Sequence, residues 1–210
     1  MSIKDKLSYA VGRRDQEPNR LLAEAIVAEN DRDKIKELIT LFDSKPHVEI
    51  QKDCSLTLAW IAESKPEMIA PYVDYFLGKL NDPINRVIWG SMMSLTAIAP
   101  FEQDKLYNNL PLILDAMDAG TVVTRDHGYR ILVTLYQNRK YQEGVFILIL
   151  EQLGKAPSNQ LGQYTERLIE ILNLRHKTDL VSILEGRFED VDNPHHIKRL
   201  QKNLKKLSKL

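Results

Sequence analysis

Apolar residues recur along the chain at the spacing of an α-helix. Two such stripes are Ile35, Leu38, Ile39 and Phe42, and Val73, Phe76, Leu77 and Leu80. Steps of three and four residues place side chains on one helix face. The period-two alternation of half-buried strands is nowhere sustained, and the chain has no Asn-Gly or Asp-Gly hairpin turn. The pattern predicts an all-α protein.

The apolar pattern repeats every 37 residues. Pro46, Pro83, Pro157 and Pro194 lie one or two such intervals apart, and Gly120 occupies the remaining mark. Counted from each mark, the fourth, eighth, twelfth and fifteenth residues share one helix face. In the first four repeats these positions hold Ile50, Val87, Thr124 and Leu161; Cys54, Ser91, Gly128 and Thr165; Leu58, Leu95, Leu132 and Ile169; and Ile61, Ile98, Leu135 and Leu172. Each mark is therefore expected to begin a helix that buries this face.

A second amphipathic segment precedes each mark. Its apolar positions lie ten and seven residues upstream and include Val73, Leu110, Ile147 and Leu184, and Ile39, Phe76, Ile113 and Leu150. The repeat is thus predicted to be helix A, a tight turn at the mark and helix B. Helix pairs are expected over 32–63, 66–99, 103–138, 141–174 and 177–208. Two-helix repeats of this length stack into a solenoid.

The predicted fold is a right-handed α-α superhelix of about five two-helix repeats in a single domain, 1–210. Residues 1–31 are expected to form an N-terminal cap of one or two helices, 32–174 the regular repeats and 175–210 a divergent C-terminal capping repeat. In the last B helix, lysines take the usual apolar positions and a shifted stripe forms instead. That stripe consists of Ile197, Leu200, Leu204 and Leu207. A divergent terminal repeat suits the end of a solenoid.

Two segments resemble the repeat motif of the HEAT-repeat (HEAT/armadillo-like α-solenoid) family. They are APYVDYFLGKLNDPINRVIWGSMMSLTAIA, residues 70–99, and LPLILDAMDAGTVVTRDHGYRILVTL, residues 110–135. The motif has a proline in helix A, which corresponds to Pro71 and Pro111. Its acidic turn residue corresponds to Asp82 and Asp118, and the basic residue of its helix B to Arg86 and Arg125. The resemblance covers residues 32–174. It implies a solenoid whose B helices line the concave surface.

Composition limits the classes of function. Lysine plus arginine equals aspartate plus glutamate, at 29 each, which argues against a surface that binds nucleic acid over its whole extent. Cys54 is the single cysteine, so no internal disulfide forms and a reducing compartment is expected. The chain shows neither a signal peptide at its start nor an apolar run long enough for a membrane span. We therefore expect a cytoplasmic protein.

The candidate binding surface consists of helix-B residues that lie off the apolar positions. The sixth residue after each mark is polar in three of four repeats, which favours solvent exposure for the fourth, Trp89. Together with residues of the ninth position, these side chains predict a partner-binding groove of Lys52, Trp89, Met92, Asp126, Tyr129, Gln163 and Glu166. Exposed Trp and Tyr are favoured binding anchors. The alternative is that Trp89 and Met92 pack against a neighbouring helix.

The C-terminal helix carries a second candidate surface. Its basic residues are Lys198, Arg199, Lys202, Lys205, Lys206 and Lys209. Such a basic amphipathic helix suits phosphate, an anionic membrane or an acidic partner. The alternative is a capping helix with solvated lysines that complement the helix dipole. His195 and His196 are adjacent, so they diverge by about 100° on a helix and cannot chelate one metal ion together.

The leading functional hypothesis is a protein-protein interaction or scaffold module that binds another protein or peptide on its concave helix-B surface. Catalytic motifs are absent from the sequence, so we expect neither an enzyme nor a cofactor or metal. The alternative is nucleic-acid binding, with an architecture similar to HEAT-like DNA alkylation repair glycosylases. For that chemistry the concave face offers Trp89, Tyr129, Asp126, Arg125 and Arg130. The oligomeric state is left open by the sequence.

Overall fold

The computed structural model describes residues 2–210, which are all-helical and contain no strand. The α-helices of this described part are α1 (Glu17–Glu29), α2 (Arg32–Asp43), α3 (Val48–Ser64), α4 (Val73–Gly78), α5 (Asn85–Ile98), α6 (Gln103–Asn108), α7 (Leu110–Ala119), α8 (Val122–Tyr136), α9 (Gln142–Lys155), α10 (Ser158–Ile169), α11 (Lys177–Gly186) and α12 (Pro194–Leu207). Short 3-10 helices cover Ile3–Lys6, Pro66–Met68, Ala70–Tyr72, Leu174–His176 and Phe188–Asp190. The predicted all-α class is confirmed.

The helices follow the predicted pairs, with α3, α5, α8, α10 and α12 as the B helices. The chain divides into two compact units, Met1–Ile131 and Leu132–Leu210, and we describe each by itself. Of the sixteen core positions predicted in the first four B helices, fifteen are buried and Leu172 is half-buried. The 37-residue pattern therefore located the B-helix cores. Within residues 2–210, no helix is both long enough and apolar enough to cross a membrane.

Prolines interrupt the A helices of the second and third repeats. Pro66 and Pro71 begin two 3-10 turns that precede the six-residue α4, and Pro111 lies in the first turn of α7, after the short α6. Proline lacks the N–H that an interior helix position needs, and its ring collides with the preceding turn. The single A helices expected in these repeats are therefore each broken into shorter pieces.

The turn before α5 differs from the prediction. Asp82 and Pro83 were expected to cap and begin the helix, but α5 begins at Asn85. The Asp82 carboxylate accepts a hydrogen bond from the Ile84 N–H at 2.9 Å and so closes the turn that leads into the helix. At the fifth mark the prediction holds, because Asn193 accepts from the His195 N–H and Pro194 is the first residue of α12.

In the first unit, α1 packs against α3 and α3 packs against α5. The start of α8 extends this row, since the Thr96 hydroxyl on α5 donates to the His127 carbonyl at 3.2 Å. The N-terminal cap therefore contributes α1 as a further member of the B-helix layer. Its preceding segment is fixed by hydrogen bonds to buried polar side chains of α1 and α3, described below.

In the second unit, α9 is rotated relative to the prediction. Ile147 was expected in the core but is 67% exposed, whereas Val145, Phe146 and Ile149 are buried. Arg187 fixes the end of this helix by donating to the carbonyls of Leu153 (2.7 Å), Gly154 (2.7 Å) and Ala156 (2.9 Å). These carbonyls belong to the last turn, where backbone acceptors lack intrahelical partners.

The shifted stripe predicted for α12 is buried at two of its four positions, and Ile197 and Leu204 are half-buried. Leu200 and Leu207 are buried, and Lys198, Lys202 and Lys206 are exposed. The helix packs against α10 and α11. Most of its lysines therefore lie on the solvent face of an amphipathic helix.

Candidate functional site

The sixth position of the first four B helices is partly exposed. Lys52, Trp89 and Asp126 of the first unit are all half-buried, as is Gln163 of the second. The indole Nε1 of Trp89 donates to the Thr121 hydroxyl at 2.9 Å, which orients the ring at the junction of α5 and α8. Part of this amphipathic side chain stays accessible at the surface.

In the first unit the ninth position does not line a groove, so the interpretation of Met92 and Tyr129 as groove residues is wrong. Both side chains are 0% exposed. A B helix in the middle of a row has a neighbouring B helix on each flank as well as its A helix, so about three of its four sides are covered. The ninth position faces the following B helix, where Met92 packs directly against Gly128. Ser55, at the same position of α3, is likewise buried against Gly90 of α5.

The tenth position supplies the surface that the ninth does not. It lies four residues after the sixth and therefore directly above it on the helix face. The resulting B-helix stripe of the first unit consists of Lys52, Leu56, Trp89, Met93, Asp126 and Arg130, all half-buried. The stripe has an apolar centre on α3 and α5 and charged residues at its edges.

Gly90 allows α3 and α5 to approach closely. A Cβ at this position would lie 2.2 Å from the Ser55 hydroxyl and 2.8 Å from the Ser55 carbonyl oxygen. Only glycine fits this contact, because the backbone of α3 cannot move aside without disturbing the core. The sequence analysis did not assign Gly90 to a packing position. Its position just before the small-residue column is the feature that could have indicated it.

A basic cleft opens at the amino-terminal ends of α3 and α5. It has a volume of about 480 Å³ and is lined by Tyr9, Arg13, Arg14, Gln16, Glu49, Lys52, Asp53 and Arg86. Four cationic side chains thus face two carboxylates. The cleft adjoins the B-helix stripe, because Lys52 belongs to both and Arg86 precedes Trp89 by three residues on α5.

The carboxylates of the cleft are already engaged. Glu49 accepts from the Lys52 ammonium at 2.7 Å, and this hydrogen bond, together with the charges of Lys52 and Arg86, lowers the pKa of Glu49. Arg13 pairs with Asp15 at 3.0 Å. Across residues 2–210, neither Arg14 nor Arg86 forms an ion pair. These two guanidinium groups are the uncompensated charges of the cleft.

Asp53 fixes the wall that the N-terminal segment contributes. Its buried carboxylate accepts from the Tyr9 backbone N–H at 2.8 Å and from the Asn19 side-chain amide at 2.7 Å. Asn19 in turn accepts from the Ser8 N–H at 2.8 Å. The Tyr9 ring stacks on His47 with centroids 4.7 Å apart. This wall could not be predicted from the repeat pattern, since Arg13 and Arg14 lie outside the repeats and approach Lys52 only through these long-range contacts.

In the second unit, Glu166 is paired rather than presented to a partner. Arg199 of α12 donates to its carboxylate through Nε at 2.8 Å and Nη2 at 2.5 Å. The hydrogen bonds from Arg199 are the main reason that the pKa of Glu166 is lowered. A cleft of about 490 Å³ lies beside this pair, lined by Glu166, Glu170, Lys202, Asn203, Lys205, Lys206 and Lys209. Arg199, counted in the basic patch, is therefore held in an interhelical ion pair.

The Cys54 thiol is buried, away from these surfaces. Burial raises the pKa of the Cys54 thiol to about 12, so it stays protonated and unreactive at neutral pH. Among residues 2–210, no cluster of His, Cys, Asp and Glu has the arrangement of a metal site. Of the residues named for the nucleic-acid alternative, Tyr129 is buried, and Arg125 is half-buried and donates to the Met117 carbonyl at 3.3 Å.

No protein-family model matches the chain, and no curated protein matches it in sequence. Solved structures do match. The crystal structure of an engineered protein has a TM-score of 0.62 at 16% identity, with 100% of this chain and 98% of that chain covered. A designed armadillo repeat protein in complex with the peptide (KR)4 has a TM-score of 0.61 at 17% identity, with 98% of this chain and 100% of that chain covered. The chain therefore has a HEAT/armadillo-like helical-repeat fold.

Proposed function

We propose that this helical-repeat protein is an interaction module whose first unit binds a segment of a partner protein along the B-helix stripe. The repeats supply parallel rows of side chains on a rigid scaffold, an arrangement suited to an extended or helical peptide. The designed armadillo neighbour is a peptide complex, and that example supports the same use of the fold. We also propose a cytoplasmic location, which suits the free thiol of Cys54.

The observation that carries the proposal is the partly exposed apolar centre of the stripe. Trp89, Met93 and Leu56 are half-buried on the outer faces of two closely packed helices, although each helix already has a complete core on its inner face. Aromatic and methionine side chains are enriched at protein interfaces, where Trp in particular contributes much of the binding energy. The ring of Trp89 is held by Thr121, so little conformational entropy is lost when a partner covers it.

The proposal is tested by selecting peptides of about 12 residues from a random displayed library against the full chain. Binding of the enriched peptides is then measured by fluorescence anisotropy. The double variant Trp89→Ala/Met93→Ala should weaken binding by about tenfold or more, because it removes two apolar anchors. The control is Leu112→Ala, which removes a half-buried apolar side chain from helix A of the third repeat, and it should bind as the wild type does.

Two results would contradict the proposal. One is a selection that enriches no peptide above background. The other is a set of peptides whose affinity is the same for the wild type and the stripe variant, since such peptides bind elsewhere. Circular dichroism melting of each variant confirms that the fold is retained.

A further inference from the structure

We infer that the partner segment is acidic: it places carboxylates in the basic cleft and sets a neighbouring large apolar side chain on Trp89. This inference rests on the proposed function, because it identifies the chemistry of a ligand for the same surface. It concerns the end of the stripe formed by the starts of α3 and α5, together with the segment from Tyr9 to Gln16.

The charge balance of the cleft supports an anionic ligand. Arg13 is paired with Asp15 and Lys52 with Glu49, and the Asp53 carboxylate already accepts hydrogen bonds from within the protein. Arg86 is exposed and forms no ion pair within residues 2–210, and the same is true of Arg14. The guanidinium group offers a planar set of donors that matches a carboxylate in a bidentate arrangement. Two ligand carboxylates would therefore give Arg14 and Arg86 the ion-pair partners that they lack within residues 2–210.

The walls of the cleft are fixed before a ligand arrives. Asp53 and Asn19 hold the N-terminal segment through buried hydrogen bonds, and the close contact at Gly90 fixes α3 against α5. The Lys52 side chain is only 25% exposed, so its ammonium is partly shielded from water and counterions. A charge in such a position interacts more strongly with a ligand than a freely solvated one. The first turns of α3 and α5 add the partial positive charge of two helix ends.

The adjoining stripe indicates where the apolar residue of the ligand lies. Arg86 and Trp89 are three residues apart on α5, and Lys52 and Leu56 are four residues apart on α3. Each cationic residue therefore lies beside an apolar one, with roughly 5–6 Å between their Cβ atoms. An extended peptide advances about 3.3 Å per residue. An acidic residue in the cleft would therefore be followed or preceded, within one or two positions, by the residue that covers Trp89.

The same geometry favours a peptide over a nucleic acid. Nucleic-acid binding surfaces track a regularly charged backbone with a line of cations. Here the excess positive charge is confined to one end, and the stripe continues through Leu56 and Met93 to the carboxylate of Asp126. The chain as a whole has no net charge. A ligand that is acidic at one point and apolar beside it fits this distribution.

The experiment uses peptides selected against the wild-type chain as described above. The enriched sequences should share a pair of Asp or Glu residues next to a large apolar residue. Replacing the pair by Asn and Gln should weaken binding by about tenfold, because the cleft cations are left without partners. The protein variant Lys52→Glu/Arg86→Glu should lose affinity to a similar extent, and it should prefer the same peptide with Lys and Arg in place of the acids. Arg86→Ala is the milder second variant.

The matched control is Lys36→Glu/Lys105→Glu, which changes the net charge equally at two exposed lysines that do not line the cleft. It should bind the acidic peptide nearly as the wild type does. The inference is overturned if peptides that depend on Trp89 carry no acidic pair, or if charge reversal in the cleft leaves their affinity unchanged, although the proposed function then stands. A single-stranded oligothymidine of about 12 nucleotides that displaces the peptide at lower concentration would also overturn it, in favour of nucleic acid.

Discussion

Two contacts between neighbouring B helices, one in each unit, use glycine differently. In the first unit, Gly90 faces the backbone and hydroxyl of Ser55, so α3 and α5 are in direct contact. In the second unit, a Cβ on Gly162 would meet the side chain of Arg199, with the nearest atom, Cδ, at 2.7 Å. That side chain is long and can shift. The α3–α5 contact is therefore set by backbone proximity, whereas the α10–α12 contact is made through adaptable polar side chains.

This difference bears on where a binding surface can form. The basic cleft is built on the rigid contact and borders an apolar stripe, and one of its charges is partly shielded. The cleft beside α12 has a similar volume, but its lysines project from a single exposed helix face. Exposed charges of this kind contribute little by themselves. Both clefts have a basic lining, so the lining alone does not distinguish them as binding sites. The fixed walls and the adjoining apolar stripe favour the cleft of the first unit.

The largest expected effect comes from adding a methyl group at Gly90, and Gly162 provides the comparison. Gly90→Ala should lower the free energy of unfolding by about 2 kcal/mol or more, because the steric conflict with Ser55 exceeds the gain in helix propensity. Gly162→Ala should stay within about 1 kcal/mol of the wild type, because Arg199 can move and alanine favours the helix. Urea denaturation followed by circular dichroism measures both.

A second-site variant tests the cause. Ser55→Gly added to Gly90→Ala removes the hydroxyl but leaves the Ser55 carbonyl, so it should restore only part of the lost stability. Full recovery would mean that the backbone contact does not limit the approach of α3 to α5, and the contrast between the two units would then fail.

An intermediate effect is expected from the buried amide of α12. Asn203 is 2% exposed and donates to the Gly162 carbonyl at 2.9 Å. Asn203→Ala should destabilise the protein by about 1–2 kcal/mol, because it removes a buried hydrogen bond and leaves a small cavity. Ser55→Ala is the counterpart in the first unit, where the hydroxyl donates to the Val87 carbonyl at a longer 3.3 Å. Ser55→Ala should lower the free energy of unfolding by less than Asn203→Ala does. An equal or larger loss would contradict this expectation.

The smallest effect concerns the ion pair between α10 and α12. The pKa of Glu166 lies below its ordinary value of 4.5, so its stabilising contribution is complete above that pH and is lost as the pH falls through the lowered pKa. Because both side chains are more than a third exposed, the contribution should not exceed about 1 kcal/mol. Glu166→Gln should therefore reduce the free energy of unfolding slightly near neutral pH and match the wild type once the pH is below the lowered pKa of Glu166. A stability difference between Glu166→Gln and the wild type that does not change with pH would contradict this pH dependence.

The B-helix cores were predictable from the sequence because a single period relates them. Positions such as Leu58, Leu95 and Leu132 recur at 37 residues, and each is buried. The A helices were less predictable. Pro66 and Pro71 divide one of them, and the side that α9 buries depends on its neighbours, which is why Ile147 is exposed.

The candidate surface was harder to predict for a related reason. Whether a helix position is exposed depends on the flanks as well as on the core face, and the flanks are covered by helices from adjacent repeats. Met92 is therefore buried, while Met93, the next residue, is half-buried. The basic cleft depends on the bond between Asp53 and the backbone of Tyr9, 44 residues away, and no local pattern predicts such a contact.

The N-terminal segment held by Asp53 and Asn19 carries charged residues that can be replaced during evolution without a change in the repeat cores. Arg13 and Arg14 lie outside the repeats, and both are exposed. Their replacement would alter the charge presented to a ligand without disturbing any repeat core. Changes in this short exposed segment would therefore alter the preferred partner, while the buried cores of the repeats remain under selection for stability.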